Sequence, residues 1–159
     1  MARILLLNGP NLSRLGQREP EHYGRRDLAS IEAELRLLAT AHGHELFAYQ
    51  NDAEAALVAQ VWRARQEGVA ILLLNPAAFT HTSVALRDAL AGAGLPFIEV
   101  HLSNPHRREP FRRRSLFSDL ALGVVAGFGA LGYRLALEAA VAWLAEREEG
   151  GKVTHGEPR

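Results

Sequence analysis

Ala70-Ile71-Leu72-Leu73-Leu74-Asn75-Pro76 is the stretch on which the fold turns. Its five apolar residues show no polar alternation, as expected of a strand covered on both faces of a sheet. Asn75-Pro76 then ends the ladder, because proline has no N–H to contribute. Upstream, Leu57, Val61 and Ala64 step at helical spacing and Gly68 stands where a helix C-cap is wanted. Downstream, Ser83 to Ala91 has the pattern of another helix, ending near Gly92 and Gly94. A helix, a buried strand, a polar loop and a helix are the repeating parts of a parallel sheet with crossover connections.

The same alternation extends in both directions. Apolar runs at Arg3–Leu7, Leu46–Tyr49, Phe97–Val100 and Gly123–Ala126 read as further strands. Leu28, Ile31, Leu35 and Leu38 before Gly43 read as a helix, and so does Leu131 to Arg147. The expected fold class is α/β, a flavodoxin-like open sandwich with a five-stranded parallel sheet flanked by helices. A chain of 159 residues with 48% hydrophobic content buries one core and not two. One catalytic domain over 1–147 is expected, with the polar, Gly-rich 148–159 as a disordered tail.

Composition narrows the function. Eighteen basic residues balance eighteen acidic ones, so no net field draws the chain to nucleic acid or to an anionic membrane surface. There is no cysteine, which removes thiolate catalysis and Cys-ligated metals. No apolar run approaches the roughly 20 residues that span a bilayer, and Asn8-Gly9-Pro10 cuts the N-terminal one too early for a signal peptide. A cytoplasmic protein acting on a small molecule is expected. Arginine accounts for all the basic residues except Lys152, so the predicted core holds no amine for Schiff-base chemistry.

In an open α/β sheet, ligands bind beyond the carboxyl ends of the strands. The post-strand segments are polar here. The first, from Asn8 to Asp27, runs about 20 residues where 2 to 6 is usual, and it contains Arg14, Arg18, His22, Tyr23, Arg25 and Arg26. A solvated basic loop is one reading; a tyrosine made acidic by neighbouring guanidinium groups is the other. A free phenol is ionised in about one molecule in a thousand at pH 7, and two close positive charges lower its pKa by about two to three pH units. Arg18 lies just upstream of Tyr23 across Pro20.

After the third strand, Asn75 offers an amide to a developing oxyanion, and Thr80-His81-Thr82-Ser83 leads into a helix N-terminus. Plain N-capping by Thr82 or Ser83 accounts for part of that run but not for His81. At the end of the fourth strand, Glu99 and His101 fall on the same face, so a carboxylate can orient and charge-stabilise an imidazole that works as a general acid. A structural histidine is the competing reading. Arg107, Arg108, Arg112, Arg113 and Arg114 follow as a basic run, read either as solvated surface or as an anion site.

Several separate stretches, in order, resemble the type II 3-dehydroquinases from Ile4 to about Leu144. They are Leu7-Asn8-Gly9-Pro10-Asn11-Leu12, Gly16 through Gly24 with Arg18-Glu19-Pro20 and Tyr23, Thr80 through Ala89, and Ile98-Glu99-Val100-His101-Leu102-Ser103-Asn104. Phe111-Arg112 and Gly132-Tyr133 complete the set. The resemblance implies dehydration of 3-dehydroquinate to 3-dehydroshikimate through an enolate, without Schiff base, metal or other cofactor. It implies Tyr23 as base, Arg18 as the arginine that stabilises its phenolate, and Arg108 as added positive charge. Asn75 and a bound water would steady the enolate, with Asn11 in the same catalytic set, and His101, held by Glu99, would protonate the departing hydroxyl. Backbone at Leu102 and Ser103 would hold the substrate carboxylate, His81 and Arg112 its ring hydroxyls, and Asp88 would reach a neighbouring subunit. A trimer-based homo-oligomer, up to a homododecamer, is implied as well.

The chain departs from the common family pattern at Ser13-Arg14, at Ala77 where glycine is usual, at Phe79 where tyrosine is, and across Gln50 to Ala55. Rival readings of the same fold are FMN binding and a non-catalytic scaffold. An FMN site wants a Ser/Thr-rich phosphate loop where Asn8-Gly9-Pro10-Asn11-Leu12 stands, and a signalling receiver wants an aspartate in the place of Asn75.

Overall fold

A computed structural model describes residues 1–17, 21 and 25–153. Five strands form one parallel sheet: β1 (Arg3–Asn8), β2 (Glu45–Gln50), β3 (Ile71–Asn75), β4 (Phe97–His101) and β5 (Gly123–Ala126), in the order β2-β1-β3-β4-β5. The helices are α1 (Leu28–Ala41), α2 (Glu54–Gln66), α3 (Val84–Ala93) and α4 (Leu131–Val153). The five-stranded parallel α/β fold is as expected.

Strand pleating divides the core. Ile4, Leu6, Ile71, Leu73, Ile98 and Val100 point to the side covered by α1 and α4. Leu5, Leu7, Leu72, Leu74 and Phe97 point to the side covered by α2 and α3. Every residue of β3 is buried, the physical reason its sequence lacks polar alternation. Parity along β4 then puts Glu99 and His101 on the α2/α3 side with Phe97.

Helix ends follow local chemistry. Asp27 caps α1 through its side chain to the Ser30 N–H, and Ser83 caps α3 to the Leu86 N–H. Gly94 closes α3 at φ 62°, in the left-handed region. The last helix differs from expectation: α4 continues past Arg147 to Val153. The glycine pair Gly150-Gly151 weakens a helix but does not stop one already propagating through many turns, since each added residue gains a backbone hydrogen bond. Among the described residues, no helix is long and apolar enough to cross a membrane.

The registers bring strand ends together. Asn8 of β1 pairs with Gln50 of β2 and Asn75 of β3, so three amide side chains meet along the carboxyl edge. Directly beyond it, the Gly9 N–H donates to the Asn75 carbonyl at 2.8 Å. A Cβ at Gly9 would stand 2.4 Å from the Pro76 carbonyl oxygen, so only glycine fits where these two loops cross.

Candidate active site

A pocket opens at the carboxyl edge, between the loop after β1, the short turn Ala77–His81 and the segment after β4. Of the residues expected from sequence, Asn11, Asn75, His81, His101, Leu102, Ser103, Arg108 and Arg112 line it. Glu99 lies behind His101. Arg18 and Tyr23 fall outside the described residues. Asp88 is exposed on α3 and is not brought to this pocket within the single chain.

Glu99 is 1% exposed, and three side chains hold its carboxylate. The His101 Nε2–H donates to Oε2 at 2.6 Å, the Ser115 hydroxyl to Oε1 at 2.8 Å, and the Ser118 hydroxyl to Oε2 at 3.0 Å. Ser115 is itself fixed, because its Oγ accepts from the Phe117 and Ser118 N–H groups. Burial, the largest single influence, pushes the Glu99 pKa up. The hydrogen bond and charge of His101, then Ser115 and Ser118, outweigh it and leave the carboxyl below the ordinary glutamate value of 4.5. Nothing in the sequence singles out Ser115 or Ser118, which lie 16 and 19 residues from their partner.

This depression has a signed consequence for stability. A group whose folded pKa is lowered stabilises the fold fully above its unfolded value and loses that contribution as pH falls through the folded one. Glu99→Gln should therefore show a weaker loss of Tm than the parent chain on acidification below pH 4.5, measured by calorimetry across that range. Parallel Tm curves would mean that Glu99 takes up its proton alike in the folded and unfolded states, with no depression of its pKa by the fold.

His81 is held differently. Its Nδ1 lies 2.7 Å from the Arg114 carbonyl, which fixes Nδ1 as the protonated nitrogen of a neutral ring and leaves Nε2 as an acceptor. Burial chiefly lowers its pKa; the Arg114 carbonyl raises it, Arg112 and His101 lower it further, and Glu99 raises it. Arg112 is anchored by Glu109 at 2.6 Å, and an Arg108 guanidinium nitrogen lies 3.4 Å from Ser103 Oγ.

The floor of the pocket is a chain of buried amides. Asn75 Oδ1 accepts from the Ala77 N–H at 3.1 Å, and Asn75 Nδ2 donates to the Tyr133 hydroxyl at 2.8 Å. Tyr133 in turn donates to Asn8 Oδ1 at 2.7 Å. Burial pushes the Tyr133 hydroxyl far above the ordinary tyrosine value and the Asn75 hydrogen bond offsets only part of this, so the phenol stays neutral. Ala77 reaches Asn75 from a φ of 52°, a left-handed conformation that costs an L-residue about 1–2 kcal/mol. The Asn75 hydrogen bond helps to hold it there.

Asn11 also has a left-handed backbone, at φ 67°, a conformation that asparagine tolerates. Its N–H donates to Asp52 Oδ1 at 2.9 Å, and Gln50 bridges Asp52 to the Gly9 carbonyl. Residues 50–55, where the chain departs from the common pattern, thus hold the base of the first loop.

A buried carboxylate behind an imidazole at a pocket wall is equipment for handing over a proton, and the arginines and amides around it suit an anionic, oxygen-rich small molecule. Fold and site together are those of an open α/β protein whose pocket is equipped for acid–base chemistry on such a molecule.

Comparison with known proteins narrows this class. A family model described as "Dehydroquinase class II" matches residues 2–141. The chain is 62% identical over 144 residues to the 3-dehydroquinate dehydratase of Xanthomonas campestris pv. campestris, covering 91% of this chain and 97% of that protein. It is 59% identical over 145 residues to 3-dehydroquinate dehydratase 1 of Pseudomonas putida, covering 91% and 96%. Among solved structures, the type II dehydroquinase of Propionibacterium acnes superposes with a TM-score of 0.85 at 38% identity, covering 89% of this chain and 97% of that one. The chain belongs to the class II dehydroquinase family.

Proposed function

We propose that the protein is a hydro-lyase that dehydrates 3-dehydroquinate to 3-dehydroshikimate by anti elimination through an enolate. The observation that carries this reading is the His101–Glu99 pair at the wall of a pocket that Asn75 and three arginines, Arg14, Arg108 and Arg112, also line. The reaction needs a base for the C2 proton, dipoles for the enolate oxygen and an acid for the C1 hydroxyl.

His101 is the acid. Its Nε2 is committed to Glu99, so Nδ1 is the nitrogen left to hand a proton to the departing hydroxyl. The ionised carboxylate behind it stabilises the imidazolium from which that proton leaves. Asn75, with one Nδ2–H spent on Tyr133, keeps the other for the enolate oxygen, directly or through a bound water, with Asn11 beside it. Tyr23, activated by Arg18, is the base, and Arg108 adds positive charge. The C2 proton goes to the phenolate, the C1–O bond breaks, and the hydroxide departs as water on taking the His101 proton. The Leu102-Ser103 backbone holds the substrate carboxylate, while His81 Nε2 and Arg112 hold ring hydroxyls. None of these steps calls on a metal or other cofactor.

The working enzyme is a cytoplasmic, trimer-based homo-oligomer, up to a homododecamer. Support comes from the outward position of Asp88 and from a row of exposed apolar side chains, Leu122, Val124, Phe128 and Leu131, along β5 and the start of α4.

The test is absorbance of the conjugated enone on mixing the protein with 3-dehydroquinate, with and without borohydride. Turnover that survives borohydride supports lysine-free dehydration. A folded, assembled protein without turnover would remove the assignment.

A further inference from the structure

Tyr133 is 0% exposed and lies at the start of α4, yet its hydroxyl reaches across the sheet end to two strands at once. It touches Asn75 of β3 at 2.8 Å and Asn8 of β1 at 2.7 Å. Both asparagines are buried, at 2% and 0% exposure, and they are direct partners in the β1/β3 register. A tyrosine hydroxyl has one proton to give. Here it goes to Asn8 Oδ1, so toward Asn75 the hydroxyl can only accept. Asn75 must therefore present Nδ2 to Tyr133 and Oδ1 to the Ala77 N–H.

We propose that Tyr133 is a positioning residue for the reaction: its hydroxyl, polarised between Asn8 and Asn75, locks the Asn75 amide with an N–H facing the pocket. The inference rests on the reading that this N–H serves the enolate oxygen.

An amide rotated by half a turn would offer Oδ1 to the substrate instead, repelling the oxygen on which negative charge develops. Asn8 shows which way the chain of bonds is directed. Its Nδ2 is buried and has no hydrogen-bond partner among the described residues. Turning the Asn8 amide would give that N–H the Tyr133 oxygen as acceptor, but the hydroxyl proton would then face Asn75 and demand the wrong atom of it. One unsatisfied donor is retained at Asn8, and the amide at the pocket is oriented. The neutral state of Tyr133, enforced by its burial, keeps that proton in place.

The test is a double-mutant cycle on kcat and KM for Tyr133→Phe, Asn75→Ala and the pair. Tyr133→Phe should lower kcat by about tenfold or more with KM held within about threefold, since an orienting group acts on a transition-state interaction. In the Asn75→Ala background the second change should cost little further, because residues acting through one another are not additive. A Tyr133→Phe enzyme with wild-type kcat, or losses that multiply in the pair, would overturn the proposal. If Asn75→Ala itself keeps full kcat, the assigned role of Asn75 falls and the positioning role falls with it. If Asn75→Ala is slow while Tyr133→Phe is not, only the latter falls. Should Tyr133→Phe fail to fold, Asn8→Ala removes the hydroxyl's acceptor from the other side, and the same criterion of loss without additivity decides.

Discussion

His101→Asn should lower kcat by about 10²–10⁴-fold, the usual contribution of a positioned acid, with little change in fold. Hydroxide is a poor leaving group, and without the imidazole only water could protonate it. Asparagine keeps a polar side chain against Glu99, so the buried carboxylate is not left bare. Because the acid acts after the enolate forms, exchange of the substrate's C2 proton with deuterated solvent should persist in this variant while product formation nearly stops. Proton NMR of the substrate reads both. Loss of exchange and elimination together would mean that His101 serves the first step instead.

The complementary result is expected at the other end of the reaction. Tyr23→Phe should lower turnover by a similar factor, and here solvent exchange at C2 should vanish along with product. Phenylalanine keeps the ring, so a carboxylate-bearing substrate analogue should still bind, as titration calorimetry would register. Near wild-type turnover in this variant would remove Tyr23 as the base. Tyr133 is no substitute, since burial raises its pKa and both of its hydrogen bonds are committed. Opposite exchange behaviour in the two variants separates acid from base without relying on the size of either loss.

How much of this the sequence discloses depends on how local each cause is. Ala70–Leu74 needs only its own composition to read as a doubly covered strand, and β3 runs Ile71–Asn75. Glu99 and His101 are two residues apart on a strand, so pleating alone puts them in contact. Ser83 announces its cap by standing before an apolar helical pattern. The supports for these groups are not local. Tyr133 meets Asn75 across 58 residues and Asn8 across 125, and no periodicity encodes such pairs. Asp52 supports Asn11 across 41 residues, from a stretch where the family pattern gives no guidance. The reach of α4 to Val153 is also hidden, because glycines that argue locally for an end are overridden by the helix before them.

The crossing of the loops at Gly9 and Pro76 bears on how such a pocket can change over evolutionary time. Main chain touches main chain there, with no side chain between to be resized. The backbone at that crossing therefore stays put whatever changes around it, and a new substrate has to be met by side chains elsewhere on the wall, Arg14, Ala77 and Arg112 among them.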